Sequence, residues 1–341
     1  MKSKIPQASE SHTEYRRRSM AEIRSAVESA KSILVVSHLD PDGDALGTQL
    51  AFGQYLRDLG KKVHLLRDSA IPDKYQFLPD IDQIVTADSV SGKLHIDTAV
   101  VLECPSPERM GTARNFLTDS VTVVNIDHHR DADEFGAVNW IDVTASSVGE
   151  MVADYFSEVG YRPGREVATQ LYTAILTDTG RFRYQSTSAH TLRVAADLIE
   201  FGADPRSICD QVYFSLRPTT IKLIGKVLNH VEFHEFGRIC LLSLTRDMFG
   251  AAGAEEYESD GIVDYTMFNK GVIVGVLLKE TANGSVKLSL RSSDGVNVAA
   301  IAAEFGGGGH FNAAGCTIAG TISQARVTIL GRLSEALNER R

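Results

Sequence analysis

The chain has 341 residues, more than one hydrophobic core usually serves, so its length predicts two domains. The 43% apolar and 23% charged content is ordinary for a globular protein, and the net charge of -9 disfavours binding of long duplex nucleic acid through a broad basic surface. The four cysteines are widely separated without a C-x-x-C pair, which argues against a disulfide framework and a thiolate zinc site. No apolar run has the length of a signal peptide core or a membrane span, so we expect a cytoplasmic protein without a membrane partner.

Strands that alternate with helices are predicted for the first half of the chain. Residues 1–18 are predicted to form a disordered arm, and the apolar spacing within residues 23–30 predicts an amphipathic helix. The predicted strands are 33–36, 63–66, 98–102 and 121–126, and the predicted helices that follow are 44–59, 107–117, 147–159 and 166–176. The alternation predicts an α/β fold, a doubly wound, mostly parallel sheet over residues 19–189 that binds ligands beyond the carboxyl ends of its strands.

The second half of the chain has a different pattern. Residues 190–229 are helical without intervening strands, which predicts a helical connector. Residues 230–341 are then predicted to form a smaller α/β domain with a mixed sheet. Its predicted strands are 231–236, 238–244, 271–280 and 285–291, and its predicted helices are 298–305 and 323–337.

The strongest polar cluster follows the first predicted strand. The segment Ser37-His-Leu-Asp-Pro-Asp-Gly-Asp44 places one imidazole and three carboxylates in a tight turn. Carboxylates crowded this closely repel each other, and their pKa values rise unless a cation neutralises them. The plain alternative is an Asp-rich turn in which Asp44 caps the next helix.

Three further polar clusters end other elements of the same domain. They are Asn125-Ile-Asp-His-His129, Leu176-Thr-Asp-Thr-Gly180 and the strand end Val100-Val-Leu-Glu-Cys104. Each cluster is ambiguous alone, but together they predict a metal centre. Carboxylates and imidazoles without a thiolate suit Mn²⁺, Mg²⁺ or Co²⁺ better than a structural zinc. The number of ligands predicts two divalent ions roughly 3.5 to 4 Å apart, an arrangement that activates water for attack on phosphorus.

A glycine-rich segment, Gly306 to Gly309, lies inside the second domain and is followed by His310. Glycines let backbone N–H groups approach an anion closely, so the segment predicts a phosphate-binding site, to which His310 and Arg291 add charge-assisted hydrogen bonds. A flexible linker is the alternative for four consecutive glycines.

These motifs resemble those of a known family. Ser37-His-x-x-Pro-Asp-Gly-Asp44, Asp127-His-His129, Thr177-Asp-Thr-Gly180 and Gly307-Gly-Gly-His310 are similar, in order and spacing, to the motifs of the DHH/DHHA1 phosphoesterase superfamily. The likeness extends from about residue 20 to 335 and is stronger to the NrnA-like branch of nanoRNases and pAp phosphatases than to the larger RecJ exonucleases.

The resemblance implies the metal ligands. It assigns His38 and Asp42 to one ion, Asp44, His128 and Asp178 to the other, and Glu103 as the bridge between them. The family normally has Asp at the bridging position, whereas this chain has Glu103, whose side chain is one methylene longer.

The resemblance also implies roles around the metals. Asp127 supports the site, His129 faces the scissile phosphate, and Arg291 with Gly307, Gly308, Gly309 and His310 holds the far end of the substrate.

The implied function is Mn²⁺-dependent hydrolysis of pAp to AMP and phosphate, and of very short oligonucleotides to mononucleotides, by two-metal activation of water. The expected partners are small nucleotides and short oligonucleotides. A homodimer is compatible with the resemblance. The alternatives are a phosphodiesterase acting on cyclic dinucleotides or pApA, a nucleotide-binding regulator with impaired catalysis, and an inorganic pyrophosphatase, which the glycine-histidine segment disfavours.

Overall fold

The computed structural model describes residues 11–90, 94–293 and 295–338, with His310 described by its backbone alone. The chain divides into two compact units between Ser215 and Leu216. No helix in the described ranges has both the length and the apolarity needed to cross a membrane.

The first unit contains a six-stranded sheet in which all strands are parallel. Its strands are β1 (Ser32–Val36), β2 (Lys62–Arg67), β3 (Ile84–Thr86), β4 (Thr98–Leu102), β5 (Thr122–Asp127) and β6 (Val138–Ile141). They lie in the order β3-β2-β1-β4-β5-β6. The central strands β1 and β4 are buried at every position, as expected of parallel strands that are covered on both faces.

The helices of this unit are α1 (His12–Ser29), α2 (Gly43–Asp58), α3 (Val148–Glu158), α4 (Arg165–Asp178), α5 (Ala189–Glu200) and α6 (Pro205–Tyr213). Alternate strand residues point to opposite faces: Val35 packs into the core that includes these helices, and Val36 into a smaller core on the other face. The segment predicted as a helix over 107–117 is a 3-10 helix, Pro107–Phe116, which Gly111 interrupts at φ 60° and ψ -138°.

The start of α1 differs from the sequence-based expectation. Residues 12–18 are helical, so the prediction of a disordered arm is wrong for them, and residues 1–10 lie outside the described residues. Ser11 and Glu14 form a reciprocal capping box, which satisfies backbone N–H groups at the start of the helix. Tyr15 is buried and its hydroxyl accepts a hydrogen bond from the backbone N–H of Ile141, which holds the polar first turns against the sheet.

The second unit contains a mixed six-stranded sheet in the order β11-β12-β10-β9-β8-β7. Its strands are β7 (Glu232–His234), β8 (Ile239–Leu244), β9 (Val274–Glu280), β10 (Ser285–Ser292), β11 (Gly308–His310) and β12 (Ala313–Ala319), and its helices are α7 (Pro218–Leu228), α8 (Arg246–Ala252), α9 (Val298–Ala303) and α10 (Ile322–Asn338). Strands β8 and β9 are parallel, and the other neighbours are antiparallel. A parallel α/β unit followed by a mixed-sheet unit confirms the predicted fold class.

The predicted connector, residues 190–229, is divided between the two units. In α5 and α6, the buried Leu198 and Ile208 belong to the main core of the first unit. In α7, Leu223 and Val227 belong to a core of the second unit. The helices are therefore parts of the two units, because each has an apolar face that is buried in one of them.

The strand order determines where a ligand can enter the first unit. The chain leaves β1 toward β2 on one side and returns to β4 on the other side. Loops that follow neighbouring strands diverge at such a switch point and leave a crevice beyond the strand ends. Three of the four predicted polar clusters follow β1, β4 and β5, the strands at and beside this point, and the fourth lies at the carboxyl end of α4.

Candidate metal centre

The turn after β1 begins helix α2. Asp42 Oδ1 accepts hydrogen bonds from the backbone N–H groups of Asp44 and Ala45, both at 3.0 Å. Asp42 is therefore the N-cap of α2, and the alternative in which Asp44 caps the helix is wrong.

Asp44 lies in the first turn of α2 and is completely buried. Its two carboxylate oxygens accept hydrogen bonds from the backbone N–H groups of Val148 (2.7 Å) and Gly149 (2.8 Å) at the start of α3. The amino end of a helix favours a negative charge, so α3 holds Asp44 as a carboxylate acceptor. Asp44, His128 and Asp178 each offer one potential ligand atom, and these three atoms lie within 4.8 Å of one another.

Glu103 follows β4 and has a left-handed backbone, with φ at 53°. Its carboxylate is buried, and neither oxygen has a hydrogen-bond partner among the described residues. The nearest imidazole nitrogens are Nε2 of His128 at 3.5 Å and Nδ1 of His129 at 3.7 Å, distances longer than ordinary hydrogen bonds. A buried carboxylate on left-handed backbone is costly in free energy, and such features cluster at functional sites.

His128 follows β5 and is oriented by the chain before α3. Its Nδ1 lies 3.3 Å from the carbonyl oxygen of Ala145, which favours the tautomer that carries its proton on Nδ1. The Nε2 atom then points to Glu103 and lies 3.4 Å from Oδ2 of Asp178. His128 therefore lies between carboxylates from β4 and α4.

Asp127 orients the second histidine. Its Oδ1 accepts hydrogen bonds from Nδ1 of His129 at 2.7 Å and from the backbone N–H groups of His128 and His129. Burial opposes the charge on His129, but the carboxylates of Glu103 and Asp127 outweigh burial and raise its pKa to about 9. A protonated His129 held in this way can donate a hydrogen bond to an anionic substrate.

The site concentrates negative charge in the protein interior. Burial and the charges of Glu103 and Asp178 raise the pKa of Asp44 well above its usual value. Burial and the charge of Glu103 raise the pKa of Asp178 to about 7, against the opposite effect of His128. Burial also opposes the ionised form of Glu103, but His129 and His128 outweigh it and hold the pKa well below its usual value. A divalent cation fits this site, because it would bind the unpartnered oxygens of Glu103 and offset the repulsion between carboxylates.

The structure brings part of the predicted ligand set together. Asp44, Glu103, His128 and Asp178 belong to two groups with the spacing of metal ligands, and His129 joins Glu103 and His128 in one of them. Among the described residues, neither group includes His38 or Asp42. Nδ1 of His38 lies 2.5 Å from the carbonyl oxygen of Leu39, and the charge of Asp42 raises the pKa of Asp178.

A third group with this spacing, Glu150, Asp154 and His190, was not predicted from the sequence. Its members already have protein partners: Ser146 and Thr191 donate to Oε2 of Glu150, and Nε2 of His190 lies 2.9 Å from Asp154. We interpret this group as an ion-pair network that joins α3 to α5.

The predicted substrate residues lie in the second unit. Nε of Arg291, in β10, donates to Oδ1 of Asp264 at 2.9 Å, a partner that the sequence did not indicate. Gly308 and Gly309 pair with β12, and a Cβ atom on Gly307 would lie 2.1 Å from the carbonyl oxygen of Gly315. The flexible-linker alternative is therefore wrong for these glycines. The side chain of His310 lies outside the described residues.

The chain is similar to known proteins in both of its units. Residues 32–176 match the profile of the DHH family, N-terminal domain, and residues 243–339 match the DHHA1 domain. The chain is 36% identical, over 94% of each chain, to the bifunctional oligoribonuclease and PAP phosphatase NrnA of Thermus thermophilus. It is 23% identical to the cyclic-di-AMP phosphodiesterase PdeA of Listeria monocytogenes, over 91% of this chain and 48% of that protein. The crystal structure of an exopolyphosphatase-related protein from Bacteroides fragilis superposes with a TM-score of 0.87 at 27% identity, over 95% of this chain and 96% of that one.

Proposed function

The chain belongs to the DHH phosphoesterase family, with a DHH domain followed by a DHHA1 domain, and on this premise we propose that it hydrolyses pAp to AMP and phosphate and very short oligonucleotides to mononucleotides. The observation that supports a hydrolytic site most strongly is the buried Glu103 carboxylate, which has no hydrogen-bond partner among the described residues and lies beside two histidines. The relative from Thermus thermophilus supports the choice of substrates, because it is named as both an oligoribonuclease and a PAP phosphatase.

We assign the metal ligands as follows: His38 and Asp42 to one ion, Asp44, His128 and Asp178 to the other, and Glu103 to both. The mixture of carboxylate and imidazole donors favours Mn²⁺, with Mg²⁺ and Co²⁺ as substitutes. Divalent ions bound there would polarise a phosphoryl oxygen and lower the pKa of water.

The other assigned residues either bind the substrate or orient a residue that binds it. Asp127 fixes the ring of His129 through the 2.7 Å contact to Nδ1, which leaves Nε2 of His129 to face the scissile phosphate. Arg291, Gly307, Gly308, Gly309 and His310 are proposed to hold a second phosphate of the substrate. In this proposal Asp264, which accepts from Arg291, orients the guanidinium group.

A second candidate function is hydrolysis of a cyclic dinucleotide or of linear pApA, which the likeness to PdeA favours. A nucleotide-binding regulator with impaired catalysis is a third candidate, because Glu103 replaces the usual Asp. The intact grouping of Asp44, His128 and Asp178 argues for catalysis and against the regulator.

The substrate assignment is tested with one panel. Metal-stripped protein resupplied with Mn²⁺ is assayed against pAp, pApA, a five-residue RNA, c-di-AMP and pyrophosphate. We expect the highest kcat/KM on pAp and on two- to five-residue oligonucleotides. A preference for c-di-AMP would support the second candidate, and binding of pAp without turnover of any substrate would support the regulator.

The partners proposed are small nucleotides and short oligonucleotides, and long duplex nucleic acid is excluded from them because the chain carries a net charge of -9. We place the protein in the cytoplasm, where its four free cysteines would stay reduced. Rapid processive digestion of long RNA would contradict the short-substrate proposal.

Arg291→Ala is expected to raise KM for pAp about tenfold, which corresponds to about 1.4 kcal/mol, with kcat almost unchanged. The proposed contact is to a phosphate away from the bond that breaks, so its loss weakens the ground state and the transition state equally. His310→Ala is expected to act in the same direction. Initial-rate kinetics on pAp measure the effect.

The matched control for Arg291 is Arg332→Ala, which removes another arginine-carboxylate pair of the second unit, that with Glu304. It is expected to leave KM unchanged. A loss of kcat alone in Arg291→Ala would contradict the proposed role.

Metal affinity is expected to increase as pH rises from 6 to 8. In the metal-free protein Asp178 has a pKa of about 7, and the carboxylates around His128 outweigh burial and raise its pKa well above 6.5. Both groups therefore hold protons in the lower part of this range, and a cation must displace them. Each proton released lowers the apparent affinity by up to about tenfold for each pH unit below the pKa of its group.

Calorimetric titration of Mn²⁺ at pH 6, 7 and 8 measures this dependence. Repeating the titration in buffers of different ionisation enthalpy gives the number of protons released when Mn²⁺ binds. An affinity that is the same at pH 6 and pH 8, with no proton release, would show that Asp178 and His128 do not bind the ion.

A further inference from the structure

The loop between β6 and α3, residues 142–147, and the first two residues of α3 hydrogen-bond to two of the assigned ligands. The carbonyl oxygen of Ala145 lies 3.3 Å from Nδ1 of His128, and the two backbone N–H groups that follow the loop donate to Asp44 at 2.7 and 2.8 Å. Groups that hydrogen-bond to metal ligands fix the orientation of those ligands and affect metal affinity. The position of this loop therefore affects both Asp44 and His128.

Asp142 holds the loop in its conformation. Its Oδ1 accepts hydrogen bonds from the backbone N–H of Thr144 at 3.0 Å and from the hydroxyl of the same residue at 2.6 Å. The backbone of Asp142 donates to the carbonyl oxygen of Asp127 and accepts from the N–H of Ala145. Burial raises the pKa of Asp142, but the hydrogen bonds from Thr144 and the charge of His12 outweigh burial and lower it, so Asp142 is ionised at neutral pH.

Two side chains from the first turns of α1 lie beside Asp142. Nε2 of His12 lies 3.1 Å from Oδ1 of Asp142, and Nε of Arg16 lies 3.5 Å from Oδ2. A second guanidinium nitrogen of Arg16 contacts Asp154 in α3. The side chain of Asp142 is 2% exposed and that of Arg16 is 25% exposed, so this ion pair is partly shielded from solvent and weakened less by salt than a surface pair. Arg16 thus ties α1 both to the start of the loop and to the helix that follows it.

We propose that Asp142, held by Arg16 and His12, is a positioning residue for the metal centre, so that the first turns of α1 set the affinity for the ion assigned to Asp44, His128 and Asp178. This inference rests on the metal-dependent function proposed above. Loss of the charge on Asp142 removes its ion pair with Arg16 in α1, so the loop is held less firmly and the hydrogen bonds to Asp44 and His128 lose part of their fixed geometry.

The test is calorimetric titration of Mn²⁺ into metal-stripped protein, with no substrate present. The variants are Asp142→Asn, Arg16→Ala and Arg16→Lys. The matched control is Arg24→Ala, which removes an exposed ion pair with Glu28 on the same helix. Circular dichroism and Tm of each metal-free variant establish that the titrated protein is folded, and the Arg16 variants carry the test if Asp142→Asn does not fold.

We expect Asp142→Asn to bind Mn²⁺ about tenfold more weakly than wild type, within the range known for residues that support metal ligands. Arg16→Ala is expected to show a smaller loss, which Arg16→Lys partly restores because it returns the positive charge. Arg24→Ala is expected to bind as wild type. The partial restoration by lysine distinguishes positioning through charge from a general loss of helix stability.

Wild-type affinity in both Asp142→Asn and Arg16→Ala would overturn the inference. Equal losses in Arg16→Ala and Arg24→Ala would also overturn it, because a general effect of α1 would then explain both. If wild-type protein itself binds no Mn²⁺, the proposed function fails and the inference fails with it, which is a separate and recognisable result.

Discussion

Asp44→Ala is expected to abolish hydrolysis of pAp, with kcat/KM lowered by about a thousandfold or more, equivalent to about 4 kcal/mol of transition-state stabilisation. The substitution removes a buried carboxylate that lies within 4.8 Å of His128 and Asp178. It also leaves the backbone N–H groups of Val148 and Gly149 without the acceptor they have in the wild type. Initial rates on pAp at saturating Mn²⁺ measure the loss, and His128→Ala is expected to give the same result.

The matched control is Asp58→Ala, an exposed carboxylate at the other end of α2. It is expected to retain wild-type turnover. A second control is the circular dichroism spectrum and Tm of metal-free Asp44→Ala, which establish that the assayed variant is folded although the N–H groups of Val148 and Gly149 lose their acceptor. Near-normal turnover in Asp44→Ala would contradict its assignment as a ligand.

Glu103→Gln is expected to lower metal stoichiometry and to reduce kcat by at least about a hundredfold, a loss of the size that misplacement by about 1 Å causes. Glutamine keeps the shape of the side chain but removes the negative charge beside His128 and His129. Two close cations would then lack the carboxylate that offsets their repulsion. The measurement is metal content and kcat across a Mn²⁺ titration.

Glu103→Asp is the charge-retaining comparison. It shortens the side chain by one methylene and produces the residue that the resemblance implies at this position. We expect it to keep the wild-type metal stoichiometry, and its kcat reports whether the surrounding site has adapted to the longer glutamate. Unchanged stoichiometry and turnover in Glu103→Gln would show that Glu103 does not bridge the metals.

The buried strands were predictable from sequence because parallel strands covered on both faces are continuous apolar runs. Runs such as 33–36 and 98–102 correspond to β1 and β4. The short edge strands β3 and β6 were not predicted, since three or four residues give too little periodicity. The start of α1 was missed because polar side chains dominate it, and its stability depends on a capping box and on Tyr15, whose burial only the tertiary structure shows.

The site was predictable where side chains follow strand ends, because the ends of neighbouring parallel strands meet at one edge of the sheet. This reasoning indicated Glu103 and His128 correctly as neighbours. It gave no signal for the segment that hydrogen-bonds to His128 and Asp44, because Ala145 and Val148 act through backbone atoms that any residue type supplies. The pairing of Arg291 with Asp264 was also unpredictable, since 27 residues separate them in the chain.

We propose that hydrolysis requires divalent metal held by these carboxylates and histidines, and removal of the metal tests this requirement most directly. Protein stripped exhaustively with chelator is assayed on pAp before and after Mn²⁺ is restored. We expect no turnover in the stripped protein and full turnover after Mn²⁺ addition, with Ca²⁺ a poor substitute because it favours more numerous and longer oxygen contacts. Full turnover of pAp by the stripped protein would contradict the account.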